Sequence, residues 1–168
     1  MRIVVDSREA RPLFFRVSKN MTGSEIKKLD VGDYSIEGFE DKIAIERKSA
    51  VDLFGTLGKG HKRFEKELER AKSLDYFAIV VESPFNVVYN KDFDGAHHIT
   101  MRGDLIIKIV MTLAVKHGIH IWFCNGRNET VSIIRQIFNA YMRWQVEKEN
   151  EYRRLARRAK KEARAKSP

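Results

Sequence analysis

The spacing of apolar and polar positions alternates between short two-fold patterns and longer helical ones. Residues 2–6 (RIVVD) predict a strand that ends on a carboxylate. Pro12 marks a turn, after which residues 13–17 (LFFRV) predict a second strand. Thr22-Gly23-Ser24 ahead of Glu25 predicts a short capped helix. Val31-Gly32-Asp33 reads as a turn into a strand over residues 34–37. Residues 42–48 (KIAIERK) alternate cleanly, with Ile43 and Ile45 on one face and Ala44, Glu46 and Lys48 on the other. Ser49 suits the N-cap of a helix over residues 50–57, with Asp52 at its third position as in a capping box. Gly55, Gly58 and Gly60 predict a loop, and residues 61–74 a helix with Phe64, Leu68 and Ala71 on one side. Residues 77–82 are apolar on both faces until Glu82, as a central strand covered by helices on both sides requires. Residues 84–99 read as a loop, 103–117 as a helix apolar nearly all round, and 119–124 as a buried strand. Asn125-Gly126 turns the chain into a last helix, which starts near Asn128 with Val131, Ile134, Phe138 and Tyr141 on one stripe. Strands and helices in this order imply an α/β fold, a mixed β-sheet flanked by helices on both faces.

Composition divides the chain. The 168 residues carry a formal charge of +9, and residues 143–168 hold ten Lys/Arg against four Asp/Glu, a net +6. We therefore expect one domain over residues 1–142 and a basic helical extension over 143–168. A basic balance favours a polyanionic partner such as nucleic acid. The single cysteine, Cys124, excludes an intramolecular disulfide and a zinc cluster. A reducing intracellular setting is expected: cytoplasm and nucleoid, or the nucleus in a eukaryote. The N-terminus lacks the apolar run and cleavage site of a signal peptide, and no apolar stretch approaches the roughly 20 residues that span a bilayer.

The chemistry concentrates in Asp33 and the string Glu46-Arg47-Lys48. Residues two apart in a strand share a face, so Glu46 and Lys48 project together, and a hairpin from 34–37 to 42–48 brings Asp33 to the same end. Paired carboxylates suit a hard divalent cation. A neighbouring lysine can orient water and neutralise charge on a reacting phosphate. Asp6, at the end of the first strand, is a candidate third carboxylate. Asp52 lies one turn beyond Lys48, and Arg8 and Arg47 add positive charge. Set against this is the plain alternative of surface salt bridges.

The wider pattern is Asp6-Ser7-Arg8-Glu9, then Gly32-Asp33, then Glu46-Arg47-Lys48-Ser49-Ala50-Val51-Asp52. It resembles the XPF-type (Hef-like) nuclease family, marked by D-x-R-E, G-D and E-R-K-x-x-x-D. Arg63 to Leu68 (RFEKEL) and the strand Phe77 to Glu82 resemble later parts of the family pattern. The resemblance covers roughly residues 1–140. It implies a restriction-endonuclease-like fold and Mg²⁺- or Mn²⁺-dependent cutting of branched, flapped or forked DNA in repair or recombination. It implies metal binding at Asp6, Asp33 and Glu46, with catalytic support from Lys48, Arg8, Arg47 and Asp52. It also implies a homodimer paired through nuclease domains, for which the apolar helix 103–117 is a candidate surface. Archaeal and eukaryotic members carry a tandem helix-hairpin-helix module that grips duplex DNA, for which 168 residues leave no room. The basic extension, or a protein partner, is expected to supply part of that grip. The alternative from another class is a non-catalytic DNA-binding subunit of a repair complex.

Two further motifs are weaker. Residues 55–63 (GTLGKGHKR) lack the G-K-[ST] ending of a nucleotide-binding loop. They read instead as a basic loop on the DNA backbone, with Lys59, Lys62 and Arg63 as phosphate contacts. Arg153, Arg154, Arg157 and Arg158 are the matching candidates in the extension. His97-His98 suggests a metal pair, but adjacent side chains are expected to point apart, and no third ligand is evident.

Overall fold

The structure is a computed structural model that describes residues 1–58 and 60–165. Its strands are β1 (Ile3–Asp6), β2 (Ser24–Lys27), β3 (Tyr34–Ile36), β4 (Ile43–Lys48), β5 (Tyr76–Val81) and β6 (His120–Phe123). Its helices are α1 (Ala50–Leu57), α2 (His61–Ala71), α3 (Phe85–Asn90), α4 (Gly103–His117) and α5 (Arg127–Ala165). The strands form one mixed sheet in the order β2-β1-β3-β4-β5-β6. β1 runs antiparallel to β3 and β3 to β4, while β4, β5 and β6 run parallel, as does β2 to β1. The expected mixed sheet with flanking helices is therefore present.

Both faces of the central strands are buried. Ala44, Ile79 and Val81 on one face join Leu53, Phe54, Phe64, Leu68, Ile106 and Val110 from α1, α2 and α4 in one apolar core. Ile43, Ile45, Ala78 and Val80 on the other face are buried as well. Ser49 caps α1 as expected, its hydroxyl accepting from the Asp52 N–H at 3.1 Å.

Five expectations need correction. Residues 13–17 form no strand: Leu13 and Phe15 are buried, while Phe14 and Val17 face solvent. Residues 24–27 form strand β2 rather than a capped helix, because parallel pairing with β1 supplies hydrogen bonds that the local pattern does not reveal. Residues 84–99 hold α3 and a 3₁₀ turn, Ala96–His98, rather than a plain loop. That turn brings the His97 and His98 rings to 3.9 Å instead of pointing them apart. β6 is the sheet's edge and half-exposed, not a buried strand.

Two glycines are required sterically. Gly32 has φ +73°, and a Cβ there would lie 3.0 Å from the Ile45 carbonyl oxygen. Its absence lets the Val31-Gly32-Asp33 turn press against β4. Gly103 opens α4 so close to α3 that a Cβ would stand 2.0 Å from the Tyr89 carbonyl oxygen.

The chain divides into two compact units, Met1–Ile134 and Arg135–Pro168. In the second, Lys148 Nζ sits 4.8 Å from the Trp144 ring centre, and Arg153 pairs with Glu149 one turn away at 2.6 Å. No helix of the described residues is long and apolar enough to cross a membrane.

Candidate active site

The sequence motifs converge where β1 and β4 end. The Asp6 N–H donates to the Asp33 carbonyl at 2.8 Å, and the Asp33 N–H donates to the Ile45 carbonyl at 2.8 Å. Asp33 is thereby stitched between the two strands. Its carboxylate accepts from the Arg47 N–H at 2.8 Å, which holds it beside Glu46. Glu46 is 6% exposed, and the Lys48 ammonium bonds directly to its carboxylate. The shared face read from two-residue spacing is thus realised. Lys48 also rests 5.4 Å above the Phe64 ring of α2.

Electrostatics set this group apart. Burial pushes the Asp33 carboxyl up to about 6, against the opposing hydrogen bond from the Arg47 N–H; the charge of Glu9 adds to the rise. Burial raises Glu46 well above the ordinary range, the nearby Asp33 charge raises it further, and Lys48 opposes. Burial works against the charge of Lys48, but the attraction of Glu46 outweighs it and raises its pKa. Two desolvated carboxylates repelling each other are what a divalent cation would relieve, so Asp33 and Glu46 fit a hard metal.

Asp6 fits less well. It is 4% exposed, and the Arg8 guanidinium binds both of its oxygens. Burial raises its pKa, but the bonds from Arg8 outweigh that and leave it lowered. Arg8, expected as catalytic support, is therefore the partner of Asp6 and also donates to the Leu29 carbonyl at 2.6 Å. Among the described residues no group of three or more His, Cys, Asp or Glu is placed to hold a metal ion. Asp52 is exposed and bonded to Ser49 at 2.6 Å, a capping residue in this structure.

Arg47 points to the opposite face of β4. Its guanidinium donates to Glu9 at 3.0 and 3.2 Å and to Glu82 at 2.7 Å. All three side chains are largely buried. Arg127, at the start of α5, approaches Glu82 at 3.8 Å and donates to the Arg11 and Pro12 carbonyls. Sequence reasoning assigned Glu9, Glu82 and Arg127 no role, although Glu9 closes the D-x-R-E string and Glu82 ends β5.

Lys62 and Arg63 are exposed on the first turn of α2. Lys59 lies outside the described residues. Arg153, Arg154, Arg157 and Arg158 are exposed on α5.

The fold compares well with solved nuclease structures. XPF from Aeropyrum pernix superposes with a TM-score of 0.63 at 22% identity, covering 90% of this chain and 70% of that one. XPF from Aeropyrum pernix in complex with DNA gives a TM-score of 0.60 at 22% identity, covering 84% of this chain and 65% of that one. No curated protein sequence matches. The ERCC4 domain model matches residues 5–137, a span that runs from the end of β1 through Asp33, Glu46 and Lys48 into α5. A match over most of the chain, on the fold of an XPF nuclease, makes this protein a member of the ERCC4 domain family.

Proposed function

We propose that this chain is a metal-dependent DNA endonuclease that hydrolyses phosphodiester bonds in branched, flapped or forked DNA during repair or recombination. The observation that carries the reading is the pairing of buried Asp33 and Glu46 with Lys48 at one end of the sheet in a chain of a nuclease family. Asp33 and Glu46 would hold Mg²⁺ or Mn²⁺. Asp6 would join them only by exchanging its contact with Arg8. The metal, when bound, lowers the pKa of water and polarises the scissile phosphate.

The chain's own residues then have defined tasks. Lys48 holds a positive charge beside Glu46, where it orients a water and offsets charge growing on phosphate oxygens. The Arg47 N–H fixes the Asp33 carboxylate, while the guanidinium of Arg47 anchors β4 from behind. Lys59, Lys62, Arg63, Arg153, Arg154, Arg157 and Arg158 would meet the DNA backbone, with residues 1–142 as the nuclease domain and 143–168 as a basic grip. Half-exposed Leu105 and Met111 and exposed Val115 put apolar groups on the outer side of α4, among exposed Lys108, Thr112 and Lys116. This supports a homodimer. A further protein partner would add DNA grip, and the setting is intracellular.

The test is Mg²⁺-dependent cleavage of single strand, duplex, flap, fork and four-way junction. Flap or fork should be cut in preference, and Asp33→Ala should lower the rate by about a thousandfold while DNA binding persists. Equal cutting of plain duplex would remove the preference for branches. Undiminished cutting by Asp33→Ala would remove the mechanism, and absence of Mg²⁺-dependent cutting by the wild type on every substrate would favour a non-catalytic subunit.

A further inference from the structure

An aromatic pair lies in the same row of the sheet as Lys48. Strand register places Lys48 opposite Val81, and Val81 opposite Phe123. Paired residues on neighbouring strands point to the same face, so Phe123 lies on the face of Lys48, two strands away, roughly 10 Å at ordinary strand spacing. The ring of Phe85, on α3, packs edge-on against Phe123 at 5.5 Å. Tyr89, one turn further along α3, stacks on Phe85 at 5.9 Å and 22°. Both remain open to solvent, Phe85 43% and Tyr89 48% exposed, while Val88 between them is fully buried and pins the helix to the core. The close approach at Gly103 fixes α3 against α4. The segment then returns toward the active end, with Gly95 against Val51 in the first turn of α1.

A fixed pair of exposed rings suits the flat face of a nucleobase. Stacking of this kind is insensitive to sequence and needs a base free of its pairing partner. We propose that Phe85 and Tyr89 form a stacking platform for an unpaired base two to three nucleotides from the phosphodiester held at Asp33, Glu46 and Lys48. The platform deepens the endonuclease reading and rests on it: the reactive end takes the phosphate, and α3 takes the single-stranded arm of a branched substrate. Lys62 and Arg63, exposed on α2, supply backbone attraction without base preference.

The test uses the full chain in EDTA, so that nothing is cut. Two probes are compared: a plain duplex and a duplex of equal length ending in an unpaired arm with 2-aminopurine near the junction. The wild type should bind the armed probe more tightly and quench its fluorescence. Tyr89→Ala should lose roughly five- to a hundredfold affinity for the armed probe, the worth of one stacked base. It should also lose the quench, yet bind plain duplex within twofold of wild type. Tyr89→Phe should restore both, since only the ring is needed. Phe85→Leu keeps an apolar contact with Phe123 and should weaken the arm alone. Equal weakening of both probes by Tyr89→Ala, or no weakening of either, would overturn the platform and leave the nuclease reading standing. Unchanged arm binding with a shift toward a smaller species in sedimentation would overturn it by making the pair a contact between copies. Failure of the wild type to bind either probe would overturn both readings.

Discussion

The two faces of β4 bury charge in opposite ways. On one, Arg47 meets Glu9 and Glu82, each acid within 3.0 Å of the guanidinium, and Arg127 stands 3.8 Å from Glu82, so two cations face two acids. Burial raises Glu9, but the bonds from Arg47 and the Arg11 N–H outweigh it and leave its pKa lowered. On the other, Asp33 and Glu46 face the single ammonium of Lys48, and both acids are raised. The strand, the depth and the residue types are alike; the balance of signs differs. Matched charge makes a brace, whereas surplus negative charge makes a site that is strained until something positive arrives.

The contrast can be broken first at the brace. Arg47→Ala takes the main partner from two largely buried carboxylates, and unfolding in urea should show a loss of about 3–5 kcal/mol. A loss below about 1 kcal/mol would mean that the cluster braces nothing. At the strained face the sign should reverse. Asp33→Asn keeps an acceptor for the Arg47 N–H and removes the surplus charge, so at pH 7 it should gain about 1–3 kcal/mol, seen as a melting temperature several degrees higher. Mg²⁺ or Mn²⁺ should raise the melting temperature of the wild type and leave that of Asp33→Asn unmoved.

The pH dependence follows from the same sign. The Asp33 carboxyl binds its proton more tightly in the folded chain, at about 6 against 3.8. Its contribution to stability is therefore full below its ordinary value and is lost as pH rises through about 6. Wild-type melting temperature should decline across that window relative to Asp33→Asn, and parallel curves would refute the assignment. The smallest effect belongs to the cap after Lys48: Ser49→Ala should cost about 1 kcal/mol by losing the bond to the Asp52 N–H.

The legible parts of the molecule are those whose pattern is local. β4 and α1 announce themselves by alternation and by Ser49, and Glu46 with Lys48 follow from the two-residue period. β2 escaped because Ser24-Glu25-Ile26-Lys27 is polar and exposes Ile26; only its distant partner β1 makes it a strand. The segment 13–17 misled because its apolar content is real but two of its large side chains face water. The Arg47 cluster was hidden for a related reason. It joins residues 9, 47, 82 and 127, which no spacing rule connects. The place of Asp6 at the end of β1 suggests a ligand, whereas the neighbouring Arg8 binds both of its oxygens.

Gly103 carries a consequence for how variation in this protein will look. It touches no charge, yet the smallest added carbon would meet the Tyr89 carbonyl at 2.0 Å. In a saturation screen for survival this position should tolerate no substitution, as strictly as Asp33 or Glu46. Screened for solubility instead, the two kinds of position should part company: acid-site variants would accumulate as sound but idle protein, and Gly103 variants would not accumulate at all.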